Sequence, residues 1–154
     1  MTHPIPILLA LLACSESPVP KSADVKTPAP VAATAAAPAA PAGPDGPESI
    51  QVPVIAAIST DAAVIAEGEK VFGARGCGAC HQFETKVVGP ALSGVLTRRS
   101  TTWVERMVAD PEIMTKQDPV AKDLFRASMV QMTKQGVTAE EMPKLIAYIK
   151  AKGG

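Results

Sequence analysis

Five consecutive residues, Cys77-Gly78-Ala79-Cys80-His81, constrain this chain more than any other stretch. At Cys-x-x-Cys-His spacing, one turn of backbone brings two thiols to one edge of a haem, where each can add to a vinyl group, while the imidazole that follows reaches the iron. The small pair Gly78 and Ala79 leaves room for the macrocycle. Two other chemistries use paired cysteines. A structural zinc site needs four ligands, and outside the motif the chain offers only Cys14 and His3, both in an N-terminal segment expected to be processed. A thioredoxin-like redox pair needs a βαβ setting that the pattern does not show. The motif therefore reads as covalent attachment of one haem c through Cys77 and Cys80, with His81 as an axial ligand.

The composition agrees with that reading. Aromatic residues make up 3% of the 154-residue chain, thin for a core of this length, and a buried haem supplies apolar bulk. Fifteen Lys and Arg balance fifteen Asp and Glu, so nothing points to nucleic acid. The apolar run from Ile5 to Ala13 is far shorter than the roughly 20 residues of a membrane span and fits the apolar region of a signal peptide. It ends in Leu11-Leu12-Ala13-Cys14, which resembles the lipobox of bacterial lipoproteins. That resemblance implies removal of residues 1–13 and a diacylglycerol anchor on Cys14; the other reading is an ordinary secretory signal in which Cys14 is incidental. Ser15 after the cysteine resembles an outer-membrane address in the sorting rule of Gram-negative bacteria.

Beyond Cys14 the composition changes. Nine of the fifteen prolines fall between Pro18 and Pro53, and residues 27–47 are almost wholly Ala, Pro, Thr, Val and Gly. Such a stretch buries too few large side chains to offset its ordering entropy. Residues 14–58 are thus expected to be a disordered linker, extended at ~3.1 Å per residue where polyproline II prevails. The apolar stretch Ile50 to Ile58 stays open between the last of the linker and a strap laid on the domain. The folded domain is expected over residues 59–154.

Within that domain Asp61 is a suitable N-cap for a first helix, whose Val64, Ile65, Gly68, Val71 and Phe72 recur at helical spacing. Thr138 and Glu141 form a capping box for a last helix over residues 139–152, with Met142, Leu145, Ile146 and Ile149 on one face beside Tyr148. Gly68 would let these two helices approach closely. Between them the pattern predicts a helix from Trp103 to Ala109, capped by Thr101 or Thr102 and ended by Pro111. A loop over 111–122 and a short helix over 123–129 follow.

From about Asp61 to Lys152 the chain resembles the class I (monohaem) cytochromes c. The resemblance implies an all-α fold in which the N- and C-terminal helices cross beside a covalently bound haem. Gly68 and Phe72 match the family's Gly and aromatic pair on the first helix, and Leu145 and Tyr148 match the apolar and aromatic pair on the last. Gly89-Pro90-Ala91-Leu92-Ser93-Gly94 is similar to the family's Gly-Pro-x-Leu-x-Gly segment. The resemblance implies that the Pro90 carbonyl accepts the proton of the ligand histidine's other ring nitrogen. It also implies that the Trp103 indole N–H bonds a haem propionate, with Arg98 or Arg99 adding charge. Members of that family commonly have a Met followed by a polar loop and a Thr-x-x-Glu helix start, so the resemblance implies Met132 at the sixth-ligand position, with Met129 as the alternative. Met107 reads as core, and Met114 comes early in the chain.

The function implied is that of a periplasm-facing electron carrier, not an enzyme, cycling its haem between Fe(III) and Fe(II). A membrane tether through Cys14 and transient docking to a redox donor and acceptor go with it. From Asp61 onward thirteen Lys and Arg face eleven Asp and Glu, a net +2 too small for strong electrostatic steering. Two alternatives stay open: a five-coordinate haem enzyme or gas sensor, and a dedicated cytochrome subunit of a respiratory complex. Against the first, His81 is the only histidine outside the N-terminal segment, so no distal His is on offer.

Overall fold

The computed structural model describes residues 45–154. The signal peptide, Cys14 and the greater part of the expected linker lie outside the described residues. Six helices follow in order: α1 (Ala62–Ala74), α2 (Val95–Arg98), α3 (Thr101–Ala109), α4 (Pro111–Gln117), α5 (Pro119–Ser128) and α6 (Met142–Gly153), with a 3-10 turn at Cys77–Ala79. No strand occurs among the described residues, and no helix there is long and apolar enough to cross a membrane.

The dominant contact is that of α1 with α6. Asp61 starts α1 by accepting from the amides of Ala63 (2.7 Å) and Val64 (3.2 Å). Halfway along, Gly68 lies against the backbone of α6: a Cβ there would collide with the Lys144 carbonyl oxygen and stand 2.8 Å from Tyr148 Cβ. Val71, Leu145 and Ile149 fill the crossing. Phe72, Phe83 and Tyr148 stack beside it with ring centroids 5.4–5.8 Å apart, the edge-to-face and tilted range that aromatic pairs favour. At its C-terminal end α1 is tied to α6 by Arg75, whose guanidinium donates to both carboxylate oxygens of Glu141 at 2.7–3.1 Å. Glu141 also accepts from the Thr138 amide (2.9 Å) while the Thr138 hydroxyl accepts from the Glu141 amide (3.3 Å). This reciprocal capping box turns the chain into α6, whose regular helix starts at Met142, three residues later than expected.

The middle of the domain differs from its sequence-based outline. Ser100, not Thr101 or Thr102, caps α3, accepting from the Trp103 amide at 3.1 Å. The expected loop over 111–122 is helical instead, and the expected 123–129 helix starts earlier, at Pro119. Asp110-Pro111 and Asp118-Pro119 each act as N-cap and first helical residue: the carboxylates accept from Ile113 (3.0 Å) and Ala121 (2.8 Å), and proline lacks the N–H that a first turn leaves unpaired.

Residues 45–58 are a strap rather than the end of a linker, so the packed unit extends N-terminally beyond Ser59. Ile50 is 5% exposed in a core with Trp103, Val104, Met114, Ala121, Met142 and Ile146, and Val52, Ile55 and Ile58 pack against it. Arg106 on α3 holds the strap by its carbonyls, donating to Asp45 O (3.0 Å), Gly46 O (2.8 Å) and Ile50 O (3.1 Å).

Candidate haem site

Gly76 turns the chain after α1, and the Cys77 carbonyl then accepts from the amides of Cys80 (3.2 Å) and His81 (2.9 Å). This short 3-10 turn brings Cys77, Cys80 and His81 to the wall of one cavity of about 370 Å³. Both cysteines are free, Cys77 half-buried and Cys80 exposed. Burial pushes the Cys77 thiol up from its ordinary value.

The loop that follows His81 is built to hold the imidazole. Gly89 N–H donates to Cys80 O at 2.8 Å, and Leu92 and Ser93 donate to the carbonyls of Gln82 and Phe83 at 3.0 Å each. His81 Nδ1 lies 2.9 Å from the Pro90 carbonyl oxygen. A carbonyl only accepts, so Nδ1 carries the proton and Nε2 keeps its lone pair for a metal. The ring lies flat against the backbone at Gly89, where a Cβ would run into His81 Cε1 and stand 2.7 Å from Nδ1. Gly89 and Pro90 thus clamp one face and one edge of the imidazole.

The rest of the wall is mainly apolar: Leu92, Val95, Val104, Leu124, Leu145 and Ile149, with Phe72 from α1. Arg98, Arg99 and Trp103 line it too. Arg98 donates to Ser93 O (2.8 Å), and the Arg99 guanidinium sits 5.5 Å from the centre of the Trp103 ring. Trp103 is 3% exposed, yet its indole Nε1 has no partner. A buried donor without an acceptor is costly, and this one belongs to a residue that lines the cavity beside two arginines.

Of the four methionines weighed from the sequence, two reach the cavity. Met132 lines it from the loop after α5, and Met107 lines it from α3. Met129 ends α5 in the left-handed conformation (φ 55) and is 79% exposed, away from the cavity wall. Met114 sits on α4 in the core, not on a loop. Sequence reasoning did not single out Gln131, which lines the cavity beside Met132, or Glu105, a fully buried carboxylic acid on α3. Neither has a local motif that could have disclosed it.

Residues 65–152 match the family Cytochrome c, more than half of the chain. The chain belongs to the cytochrome c family. With that family goes one covalently attached c-type haem, and the site fits it: two free thiols, an imidazole with its Nδ1 proton already engaged, an apolar wall and an unpaired buried indole donor. The crossing of α1 and α6 is the all-α, class I arrangement expected of such a domain.

Relatives fall in the same group. The chain is 36% identical over 56 residues to a cytochrome c-551 of Stutzerimonas stutzeri, covering 34% of this chain and 54% of that protein. To a cytochrome c-551 of Ectopseudomonas mendocina it is 46% identical over 35 residues, covering 23% and 43%. The chain thus spans about half the length of these relatives. Among solved structures, a cytochrome c from Rhodothermus marinus superimposes with a TM-score of 0.59 at 30% identity, covering 70% of this chain and 89% of that one. An engineered form of that cytochrome, bound to a carbene intermediate, is similar at a TM-score of 0.56 and 29% identity over 70% of this chain and 89% of its own.

Proposed function

We propose that this cytochrome c is a one-electron carrier whose haem iron is held by His81 and Met132. The carrying observation is that Met132 and the tautomer-fixed His81 line the same cavity as both thiols, whereas Met129 does not. The haem, when bound, supplies an iron that passes between Fe(III) and Fe(II). Around it the chain supplies the rest. Cys77 and Cys80 provide the thiols for attachment, and Pro90 and Gly89 orient the imidazole. Trp103, Arg98 and Arg99 offer donors and charge to propionates. A methionine sulfur favours the softer ferrous iron and raises the potential, and filling both axial positions excludes small molecules.

Val87, Val88, Phe125 and Val130 are exposed apolar side chains, and all but Val87 line the cavity. They form a rim on which a redox donor and acceptor dock transiently. The tether through Cys14 and the Ala/Pro-rich linker, with periplasmic placement and an outer-membrane address, completes the reading; it rests on the sequence resemblance at Leu11 to Ser15. Electrochemistry of the haem-loaded protein tests the carrier reading. A reversible one-electron wave, with no binding of carbon monoxide to the ferrous form on mixing, is expected. Rapid carbon monoxide binding would replace the carrier by the gas-sensor or enzyme reading.

A further inference from the structure

The loop that carries Met132 has little of its own to hold it. After α5 ends at Met129, residues 130–137 form neither helix nor strand, and none of their amides or carbonyls takes part in a backbone–backbone hydrogen bond. A site that must keep a ligand within about 0.5 Å of its productive position needs support from elsewhere.

Gln131 supplies that support. Its Nε2 donates to Met132 O at 3.0 Å and to Pro111 O, at the first residue of α4, at 3.3 Å. Its Oε1 accepts at 2.9 Å from the hydroxyl of Thr115, a buried residue one turn further along α4. Thr115 Oγ1 also lies 3.1 Å from Glu112 O, so its single proton is shared between the two acceptors. Two carbonyls on one side and a hydroxyl on the other fix which way the amide points. On the far side of Met132, Lys134 Nζ is 3.5 Å from Asp110 Oδ2, the residue that caps α4. That pair is largely exposed on the lysine side and adds little. The half-buried amide is the stronger tie.

We infer that Gln131 is the positioning residue for the sixth ligand: by bonding the Met132 carbonyl and the start of α4 together, it sets how readily the Met132 sulfur leaves the iron. This rests on Met132 as an axial ligand. Gln131→Leu keeps the size and removes both donors and the acceptor. A loss of one or two hydrogen bonds from the bound state corresponds to about a tenfold change in an equilibrium constant.

The test uses the haem-loaded full chain in the ferric state, with two readouts. One is the pH at which the red-region charge-transfer band of methionine-bound iron disappears on alkaline titration. The other is the affinity for added imidazole. In Gln131→Leu the band is expected at neutral pH, with its loss moved down by about one pH unit and imidazole binding about tenfold tighter. Thr115→Val is expected to shift both in the same direction by less, and Lys134→Ala by less than about twofold. If Gln131→Leu does not accumulate as a folded haem protein, Thr115→Val decides by the same readouts. Wild-type values for both readouts, even with a lowered thermal midpoint, would overturn the inference. Met132→Ala run in parallel keeps the two questions apart: a band that persists there refutes the ligand assignment itself, whatever Gln131→Leu does.

Discussion

Glu105 offers a sharp test of the packing. It lies on α3, is 1% exposed, and leaves its Oε1 without a hydrogen-bond partner. Burial pushes its carboxyl from 4.5 up to about 7, with the neighbouring Arg106 charge opposing part of the rise. The folded pKa is therefore above the unfolded one, so the folded protein binds this proton more tightly. The favourable contribution is fully present below about pH 4.5 and is lost as pH rises through about 7. At about 1.4 kcal/mol per pKa unit, the loss across that window is of order 3 kcal/mol. That is a large part of the 5–15 kcal/mol, roughly, that holds a domain folded. Glu105→Gln cannot ionise, so its stability is expected to stay flat where the wild type declines. The assay is guanidinium unfolding of the haem-loaded ferric protein at pH 5, 6, 7 and 8. The gap between the curves should widen by a few kcal/mol in favour of the variant between pH 5 and 8. His81, the one histidine in the described residues, is common to both proteins and cancels in the difference. Parallel curves would refute the reasoning, since they would mean that Glu105 ionises in the fold without penalty.

Three further outcomes follow from named contacts. Gly68→Ala gains about 1 kcal/mol of helix propensity but drives a Cβ into the Lys144 carbonyl; a net loss of roughly 2 kcal/mol is expected in thermal unfolding, and a neutral result would contradict the close crossing. Trp103→Phe removes an indole donor that has no partner in the protein, so the protein itself loses no hydrogen bond. Destabilisation by about 1.5–3 kcal/mol in the haem-loaded form, with a shifted reduction potential, would identify a charged acceptor on the haem; an unchanged potential would not. Arg106→Ala frees three strap carbonyls. Hydrogen exchange of the Ile50 amide, which donates to Pro47 O at 3.1 Å, should accelerate, and unaltered protection would show that apolar packing alone holds the strap.

What was legible in the sequence was chemistry at short, fixed spacing. The Cys77–His81 turn, the Pro90 carbonyl nine residues beyond His81, the Asp61 cap and the Thr138–Glu141 box are all local, and they appear where the residues and the family resemblance place them. The glycine at 68 was legible too, because an unfavourable residue within a helix signals a close neighbour. The Asp-Pro pairs were misread for a physical reason. Proline stops a helix that reaches it but suits the first turn of the next, and which role wins depends on the aspartate in front. Composition left the strap open against the end of a linker, since Ile50 is buried in a cluster with side chains of α3 to α6 far along the chain. Glu105, Arg106 and Gln131 share that property: Arg106 meets carbonyls 56 to 61 residues away, and Gln131 meets Pro111 20 residues back. No short pattern encodes such partners.

The proposed electron-carrier function stands on His81 and Met132 together as the residues that would hold the iron. Its most direct test is the red-region charge-transfer band of the ferric, haem-loaded protein, measured in the wild type and in Met132→Ala. A band is expected in the wild type and none in the variant, with the haem still covalently attached in both through Cys77 and Cys80. A band that survives in Met132→Ala, or one missing from the wild type, would contradict it.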